Sequence, residues 1–281
     1  MGLIDFILNL AGLLLWLNWR AGVPRPAAVT PTVSLLSTLK QTESHETNRH
    51  LFLIALVGLL VARGFFYWHI GGATDWTPNL QLGAIALPFR SDLQFGWMLL
   101  YSLVSYGQFL LVLHFWLLLL SVANSGIPDS DPHQRMLRQQ LGWLENLPAW
   151  LKLVLPLLVA TLLWVLFNPW LLKLGLLPAP ASPAHLWQQA LVIGVAVLVS
   201  WKFLLLGFWV LHLLNSYVYL GNHPFWNFIN ATSRNLLWPL RWLPLRLGRV
   251  DFTPVLAMLL VLWVGEYAPR WLAELYRRLP L

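Results

Sequence analysis

Three charged residues lie inside apolar stretches that are long enough to be membrane helices. They are Arg63, Lys202 and Glu266. A charge at membrane depth is costly, and it is retained where it pairs with another group or serves an ion path. All three are predicted at similar depth, so Glu266 could neutralise one or both cations in an intramembrane ion cluster. For Arg63 the alternative is a side chain that snorkels outward past Tyr67 and Trp68.

Two histidines occupy equivalent places in the repeated tripeptide Val-Leu-His. His114 and His212 could ligate a b-type haem, because membrane histidines can serve as axial ligands. The alternative is that each lies near a helix end and hydrogen-bonds a neighbour. His212, Asn215 and Ser216 share one helical face, which favours hydrogen bonding between helices. No cofactor is predicted beyond this alternative.

Asp129, Asp131 and His133 form a third group, and their side chains are of the types that bind metal ions. Prolines delimit this stretch, which favours a turn over a metal site. The sequence contains no His-Glu-x-x-His motif, phosphate loop or nucleophile elbow. It also contains no cysteine, which excludes disulfides and thiolate chemistry. We therefore expect a protein that is not an enzyme and has no metal site.

The elements that hold these residues are predicted to be membrane helices. Hydrophobic residues make up 58% of the 281 positions, charged residues 10%, and the mean hydropathy is +0.63. A soluble domain of this size cannot bury so much apolar surface. The 18 tryptophans suit the headgroup boundary. We predict an all-α, multi-pass fold with six apolar segments, which are Leu3–Trp19, Leu51–Ile70, Phe95–Val122, Trp150–Phe167, Leu186–Leu220 and Pro254–Leu272.

Three stretches need separate interpretation. The first segment is short, but Asp5 precedes its apolar run and no basic region leads it, so we expect a retained helix and not a cleaved signal peptide. The fifth segment is too long for a perpendicular span and is predicted to tilt or to extend beyond the membrane as one helix. The stretch Gly71–Asp92 is predicted to be an interfacial loop with a partly buried apolar face.

Basic residues concentrate in the first, third and fifth connections, which predicts that the odd-numbered connections are cytoplasmic. Arg270, Arg277 and Arg278 at the other end of the last segment oppose this orientation. Because the arginines are spread between apolar segments, anionic lipid headgroups are the expected partner, and nucleic acid is not. The expected location is a bacterial cytoplasmic (inner) membrane.

An internal repeat relates the second and third parts of the chain. A single shift places Gly96 on Gly194, Ser102 on Ser200, Pro156 on Pro254 and Val112-Leu113-His114 on Val210-Leu211-His212. The segments before the repeat have the same outline of helix, basic connection and helix. We predict three tandem helical hairpins, with boundaries at 1–92, 93–185 and 186–281.

The fifth connection carries the densest pattern of aromatic, basic and proline residues. Asn235 to Trp242 is predicted to form a short interfacial helix, and Thr253 before Pro254 is predicted to cap the last helix. Asp251 could neutralise a neighbouring arginine. The pattern fits either a simple re-entry of the chain into the membrane or a docking surface to which a partner binds. Its candidate residues are Trp238, Pro239, Arg241, Trp242, Arg246, Arg249, Asp251 and Pro254.

This pattern resembles the YggT family of small bacterial and plastid membrane proteins. The resemblance rests on Asn222-His223-Pro224-Phe225-Trp226, Asn235-Leu-Leu-Trp-Pro-Leu-Arg-Trp-Leu-Pro244 and Gly248-Arg-Val-Asp-Phe-Thr-Pro254. It is strong over 212–264, and a weak second copy covers 93–167. Trp238 and Trp242 replace two family arginines, and Thr253 stands where the family has serine. Members are associated with osmotic-stress tolerance, with division-related gene neighbourhoods and, in plastids, with haem attachment to cytochrome b6f.

The resemblance implies a scaffold or assembly factor for membrane complexes. Its partners would be other membrane proteins, with a homo-oligomer as an alternative. Ion or small-solute transport, based on the charge cluster and the repeats, is the second hypothesis. Haem handling by His114 and His212 is the third.

Overall fold

A computed structural model of the chain describes residues 2–21, 49–74, 77–89, 95–127, 131–218, 223–240, 242, 246–247 and 250–280. Within this part of the chain the fold is almost entirely helical, as predicted. The α-helices are α1 (Gly2–Ala21), α2 (Arg49–Thr74), α3 (Phe95–Ala123), α4 (Pro132–Leu141), α5 (Ala149–Lys173), α6 (Pro183–Leu198), α7 (Trp201–Tyr217), α8 (Pro224–Leu236) and α9 (Thr253–Arg278). Short 3-10 helices follow α4 at Gly142–Asn146 and α8 at Trp238–Leu240.

Six segments of the described chain are long and apolar enough to cross a membrane, which confirms the prediction of a multi-pass helical protein. They are α1, α2, α3, α5, α9 and the 35 residues of α6 and α7 taken together. Large apolar side chains such as Leu162 and Leu166 point outward from the helices. Such a surface is stable only in contact with lipid or with another apolar surface.

The prediction of one long helix over the fifth segment is wrong. The structure divides it into α6 and α7 at Val199 and Ser200, where the backbone N–H groups bond three residues back and not four. This tighter turn changes the direction in which carbonyls point. The Ser200 carbonyl accepts a hydrogen bond from the Trp116 indole at 3.1 Å, so a neighbouring helix stabilises the interruption.

The stretch predicted as an interfacial loop contains a β-hairpin. Strands β1 (Asn79–Gln81) and β2 (Ala86–Pro88) pair antiparallel, and Leu80 faces Leu87 across the hairpin on its buried side. Gly83 in the turn has φ of +75°, which favours glycine, and a Cβ there would lie 2.6 Å from Cβ of Ala196. The predicted buried apolar face is therefore correct, but the backbone is a hairpin. Trp76 and Asp92 lie outside the described residues.

The chain divides into two compact units. Unit one comprises Met1–Pro78 and Phe89–Leu110, and unit two comprises Asn79–Pro88 and Leu111–Leu281. In unit one, Leu56, Leu60 and Tyr106 form an apolar core. Polar contacts also join its helices, since the Tyr106 hydroxyl donates to the carbonyl of Gly12 and the Ser102 hydroxyl donates to the carbonyl of Leu60, both at 2.9 Å. The predicted three-hairpin division stays a prediction.

In unit two, α5 and α6 pack closely because Gly194 presents no side chain at their contact. A Cβ on Gly194 would lie 2.9 Å from the Leu157 carbonyl and would also meet the Thr161 hydroxyl. The antiparallel pair α7 and α9 packs around Trp209 and Ala257. At their contact the fold leaves room for Lys202, because Gly265 faces it.

The third and fifth connections each contain a helix that the sequence did not predict in this place. In the third, Asp131 caps α4, and Pro132 occupies its first turn. In the fifth, His223 caps α8, and Pro224 occupies its first turn. The prediction of one short helix over Asn235 to Trp242 is wrong in its bounds, because α8 ends at Leu236 and a separate 3-10 helix covers Trp238–Leu240, while Arg241 lies outside the described residues. The strong start signal was the cap and proline pair upstream.

Candidate functional site

Arg63 is the most thoroughly buried charge of unit one, with 2% of its surface exposed. Its guanidinium donates to Tyr67 Oη at 2.8 Å, Asn9 Oδ1 at 2.7 Å and Ser105 Oγ at 3.1 Å, and it pairs with Asp5 at 3.3 Å. The Tyr67 hydroxyl also donates to the Asp5 carboxylate. These contacts join α1, α2 and α3 through a single charge that is paired with a carboxylate and hydrogen-bonded through each of its three nitrogens, as burial of a charge requires.

The predicted outward path for Arg63 is therefore wrong, since its partners hold it inward. The sequence analysis missed Asp5 and Asn9 as those partners. A usable signal was present, because Asp5 and Asn9 are four residues apart on α1, as Arg63 and Tyr67 are on α2. Such spacing puts each pair on one helix face and gives two complementary polar faces.

The predicted ion cluster does not form within the described chain. The Arg63 contacts belong to unit one. In unit two, the Lys202 ammonium donates to the Gly265 carbonyl at 2.9 Å and lies over the Phe203 ring. Glu266 pairs instead with Arg270 one helical turn along α9, on an exposed face. Gly265 explains the Lys202 position, because a Cβ there would lie 2.5 Å from Cδ of Lys202.

A buried ion pair anchors the third connection in unit two. Lys152, near the start of α5, lies 3.2 Å from Glu145 of the short 3-10 helix and donates to Ser121 of α3 at 2.8 Å. The Ser121 hydroxyl donates to Glu145 at 2.5 Å, and Arg138 of α4 lies 3.6 Å from the same carboxylate. The lysine and glutamate hold the connection against the ends of α3 and α5.

A second polar network joins the third connection to the fifth. Asn124, fully buried after the end of α3, donates to the Thr232 hydroxyl of α8 at 2.9 Å and accepts from Asn235 at 3.3 Å. The Gln134 amide of α4 donates to the Asn124 carbonyl at 3.3 Å. The His133 ring stacks on Phe228 of α8 with ring centroids 5.4 Å apart. Helices α4 and α8 therefore form one assembly.

We call α4, the 3-10 helix Gly142–Asn146 and α8 the boundary platform. It lies where α3 and α7 end and where α5 and α9 begin, so the third and fifth connections share one end of unit two. Trp143, which belongs to the platform, is 73% exposed, and Trp238, in the 3-10 helix that follows α8, is 71% exposed. Trp242 is exposed by 78%. Buried polar contacts thus fix elements whose outer surface is aromatic.

The re-entry into α9 differs from the predicted cap. The Asp251 carboxylate accepts from the backbone N–H of Thr253 at 2.9 Å, so Asp251 and not Thr253 supplies the cap. Thr253 is itself the first residue of α9 and is buried, and Pro254 follows in the first turn as predicted. Pro239 is exposed in the short 3-10 helix. Arg241, Arg249 and the side chain of Arg246 lie outside the described residues.

His212 and Asp131 make hydrogen bonds with neighbouring elements in the described part of the chain. His212 shares a 2.8 Å hydrogen bond with Asn230 of α8, which matches the alternative of bonding to a neighbour. His114 is half-buried in α3. Asp131 accepts from the backbone N–H groups of His133 and Gln134 as the N-cap of α4, whereas Asp129 and most of the predicted turn lie outside the described residues. No metal-binding group of three histidine or acidic residues is found among the described residues.

One face of α5 carries polar atoms that lack hydrogen-bond partners in the described chain. They are Thr161 Oγ1, Trp164 Nε1 and Asn168 Oδ1, all buried. Their spacing of three and four residues follows the helical repeat toward α6. Unsatisfied buried groups are uncommon in native structures and usually have a function or an unseen partner.

Comparison of the chain with protein-family models, with curated proteins and with solved structures finds no match in any of the three. Its function is therefore inferred from its own residues.

Proposed function

We propose that this membrane protein is a non-enzymatic scaffold or assembly factor of the YggT type, and that the boundary platform is its contact surface. The observation that supports the proposal most is the joining of two separate connections by buried polar groups. Asn124 bonds to Thr232 across the platform, and Lys152 with Glu145 fixes its other edge. A rigid surface loses little conformational freedom on binding, so its contacts contribute more to affinity.

The outer side chains suit a protein partner at the membrane surface. Tryptophan is enriched both at headgroup boundaries and among the residues that dominate binding energy in interfaces. Trp143, Trp238 and Trp242 all expose most of their surface. Met136 on α4 adds an exposed flexible apolar group. The proposal places the platform in the cytoplasm, beside anionic headgroups of a bacterial inner membrane, as the basic connections predict.

The test uses capture of the tagged full chain from native membranes in mild detergent. Wild-type protein and the variant Trp143→Ala/Trp238→Ala are compared, with Trp170→Ala/Trp187→Ala as the matched control, because those two tryptophans are exposed on α5 and α6 away from the platform. The expected result is a stoichiometric protein retained by wild type and by the control and lost from the platform variant. Equal retention by all three proteins would refute the platform as the contact surface.

Transport of an ion or small solute is a second candidate, favoured by the unpartnered polar atoms of α5 and by the interruption between α6 and α7. Thr161 and Asn168 offer oxygens on one buried face, and interrupted helices recur at transporter binding sites. Liposomes that contain this protein alone test the idea. Flux that falls in Thr161→Val/Asn168→Leu but persists in Leu166→Ala, a lipid-facing control, would support transport. No flux above empty liposomes would reject it.

A further inference from the structure

Helix α9 carries a stripe of charged and aromatic side chains that the described part of the chain leaves exposed. Residues at helical spacing along it are Trp263, Glu266, Tyr267, Arg270, Trp271 and Glu274. The side chains of Glu266 and Arg270 are exposed by 60% and 67%. Spacing of three and four residues places all six on one side of the helix.

The contacts of the opposite side of α9 place the stripe level with the middle of α5, one of the candidate membrane spans. Leu272 and Tyr276 pack against the cluster that contains Val192 and Ala196 of α6. In the same part of α6, Gly194 meets Thr161, the middle residue of the 25-residue helix α5.

This packing gives the positions of Glu266, Arg270 and Glu274 relative to the middle of α5, which we take as the centre of the bilayer. Glu266, Arg270 and Glu274 lie within six residues of Leu272, which is about 9 Å along a helix axis. The hydrocarbon half-thickness is about 15 Å, so all three charges face hydrocarbon unless something covers them.

We propose that a second copy of this chain covers this stripe and that α9 forms an intramembrane dimer interface. The charges on the stripe alternate in sign, from Glu266 to Arg270 to Glu274, so the surface is complementary to itself. In a two-fold pair about the membrane normal, equivalent helices run parallel and each position lies near its own copy. Glu266 of one copy then lies one helical turn, about 6 Å along the axis, from Arg270 of the other copy, and the long arginine side chain can reach it diagonally.

Charged groups at membrane depth are costly when they face lipid, and a partner of opposite charge relieves that cost. The aromatic residues Trp263, Tyr267 and Trp271 alternate with the charges and supply the apolar contact. The boundary platform lies at the N-terminal end of α9, so a dimer through this stripe leaves the platform open.

Cysteine cross-linking tests the dimer directly, because the chain contains no native cysteine. Tyr267→Cys serves as the reporter on the stripe, and Leu166→Cys on the exposed face of α5 is the control. Oxidation in native membranes is expected to link Tyr267→Cys copies to each other and to leave Leu166→Cys monomeric. Equal linking at both positions, or an adduct of Tyr267→Cys with a different protein, would overturn the proposal.

Charge reversal separates contacts between copies from the Glu266–Arg270 pair within one helix. Glu266→Arg makes both positions basic and Arg270→Glu makes both acidic, so each variant loses the internal pair and repels its own kind. Each charge reversal is combined with the reporter Tyr267→Cys. Expressed alone, each combined variant should form at least about fivefold less cross-linked dimer than Tyr267→Cys without a charge reversal, which is the effect expected of one polar contact between membrane helices.

When the Glu266→Arg and Arg270→Glu forms of the Tyr267→Cys reporter are co-expressed with tags of different length, a mixed dimer of the two should form. A mixed dimer no more abundant than the two self-dimers would overturn the proposal.

Discussion

Removing the carboxylate of Asp5 should destabilise unit one more than removing the guanidinium of Arg63, its ion-pair partner. Asp5→Leu leaves the buried Arg63 guanidinium without its ion-pair partner, and it also removes the acceptor of the Tyr67 hydroxyl. Loss of one partner from a buried ion pair costs about 3 to 5 kcal/mol. Because the Asp5 side chain is 20% exposed, partial hydration moderates this cost, and we expect the lower end, about 3 kcal/mol.

The reverse change and the double change complete the argument. Arg63→Met leaves a carboxylate that is closer to the surface and still accepts from Tyr67, so we expect a loss of about 1 to 2 kcal/mol. In Asp5→Leu/Arg63→Met no charge remains unpaired, and the loss should be about 1 kcal/mol, smaller than in Asp5→Leu alone.

The assay is reversible unfolding of the full chain in mixed micelles, followed by tryptophan fluorescence. Asn18→Leu is the matched control, because Asn18 is an exposed polar residue of the same helix that bonds to its own backbone, and it should change the free energy of unfolding by less than about 0.5 kcal/mol. A double variant as unstable as the sum of the single variants would refute the pairing. So would an Asp5→Leu variant as stable as wild type.

Three further predictions concern unit two, and all are measured by the same unfolding assay. Glu145→Leu leaves Lys152 buried without its ion-pair partner and should lower the free energy of unfolding by about 3 kcal/mol. The double variant Glu145→Leu/Lys152→Met should recover most of that loss. If the double variant lost the sum of the two single losses, the pairing would be contradicted. Gly194→Ala should cost about 1 to 3 kcal/mol because its Cβ meets the Leu157 carbonyl, whereas Gly207→Ala, which meets nothing within 4 Å, should be neutral or stabilising. Asn124→Leu should cost about 2 kcal/mol because Thr232 and Asn235 lose the Asn124 side chain as a hydrogen-bond partner, and an unchanged stability would remove the platform's proposed anchor.

The membrane class and the helical spans were predictable because they depend on long apolar runs, and hydropathy reports these directly. The interruption at Val199 and Ser200 was not predictable, because neither residue breaks a helix by itself. The turn is stabilised by a contact with Trp116, which is distant in sequence. The hairpin at Asn79–Pro88 was missed for a similar reason, since its strands are three residues long and depend on packing against α6.

The partners of the candidate charges were not predicted from the sequence. Depth along a helix can be counted from sequence, whereas the side of the helix that faces a neighbour depends on tertiary packing. Lys202 and Glu266 were predicted at the same depth, yet Lys202 turns to the Gly265 carbonyl and Glu266 turns outward to Arg270. Asp5 was the missing partner of Arg63, because it was considered only as a residue that precedes the first apolar run.

The central claim is that the third and fifth connections form one platform on one side of the membrane. Single cysteines at Trp143, Trp238 and Ser182 test it in the cysteine-free chain, with a membrane-impermeant maleimide applied to intact cells and to inverted vesicles. Trp143→Cys and Trp238→Cys should react only in inverted vesicles, and Ser182→Cys, in the fourth connection before α6, should react only in intact cells. Reaction of Trp143→Cys and Trp238→Cys from opposite sides would contradict the platform and the function proposed for it.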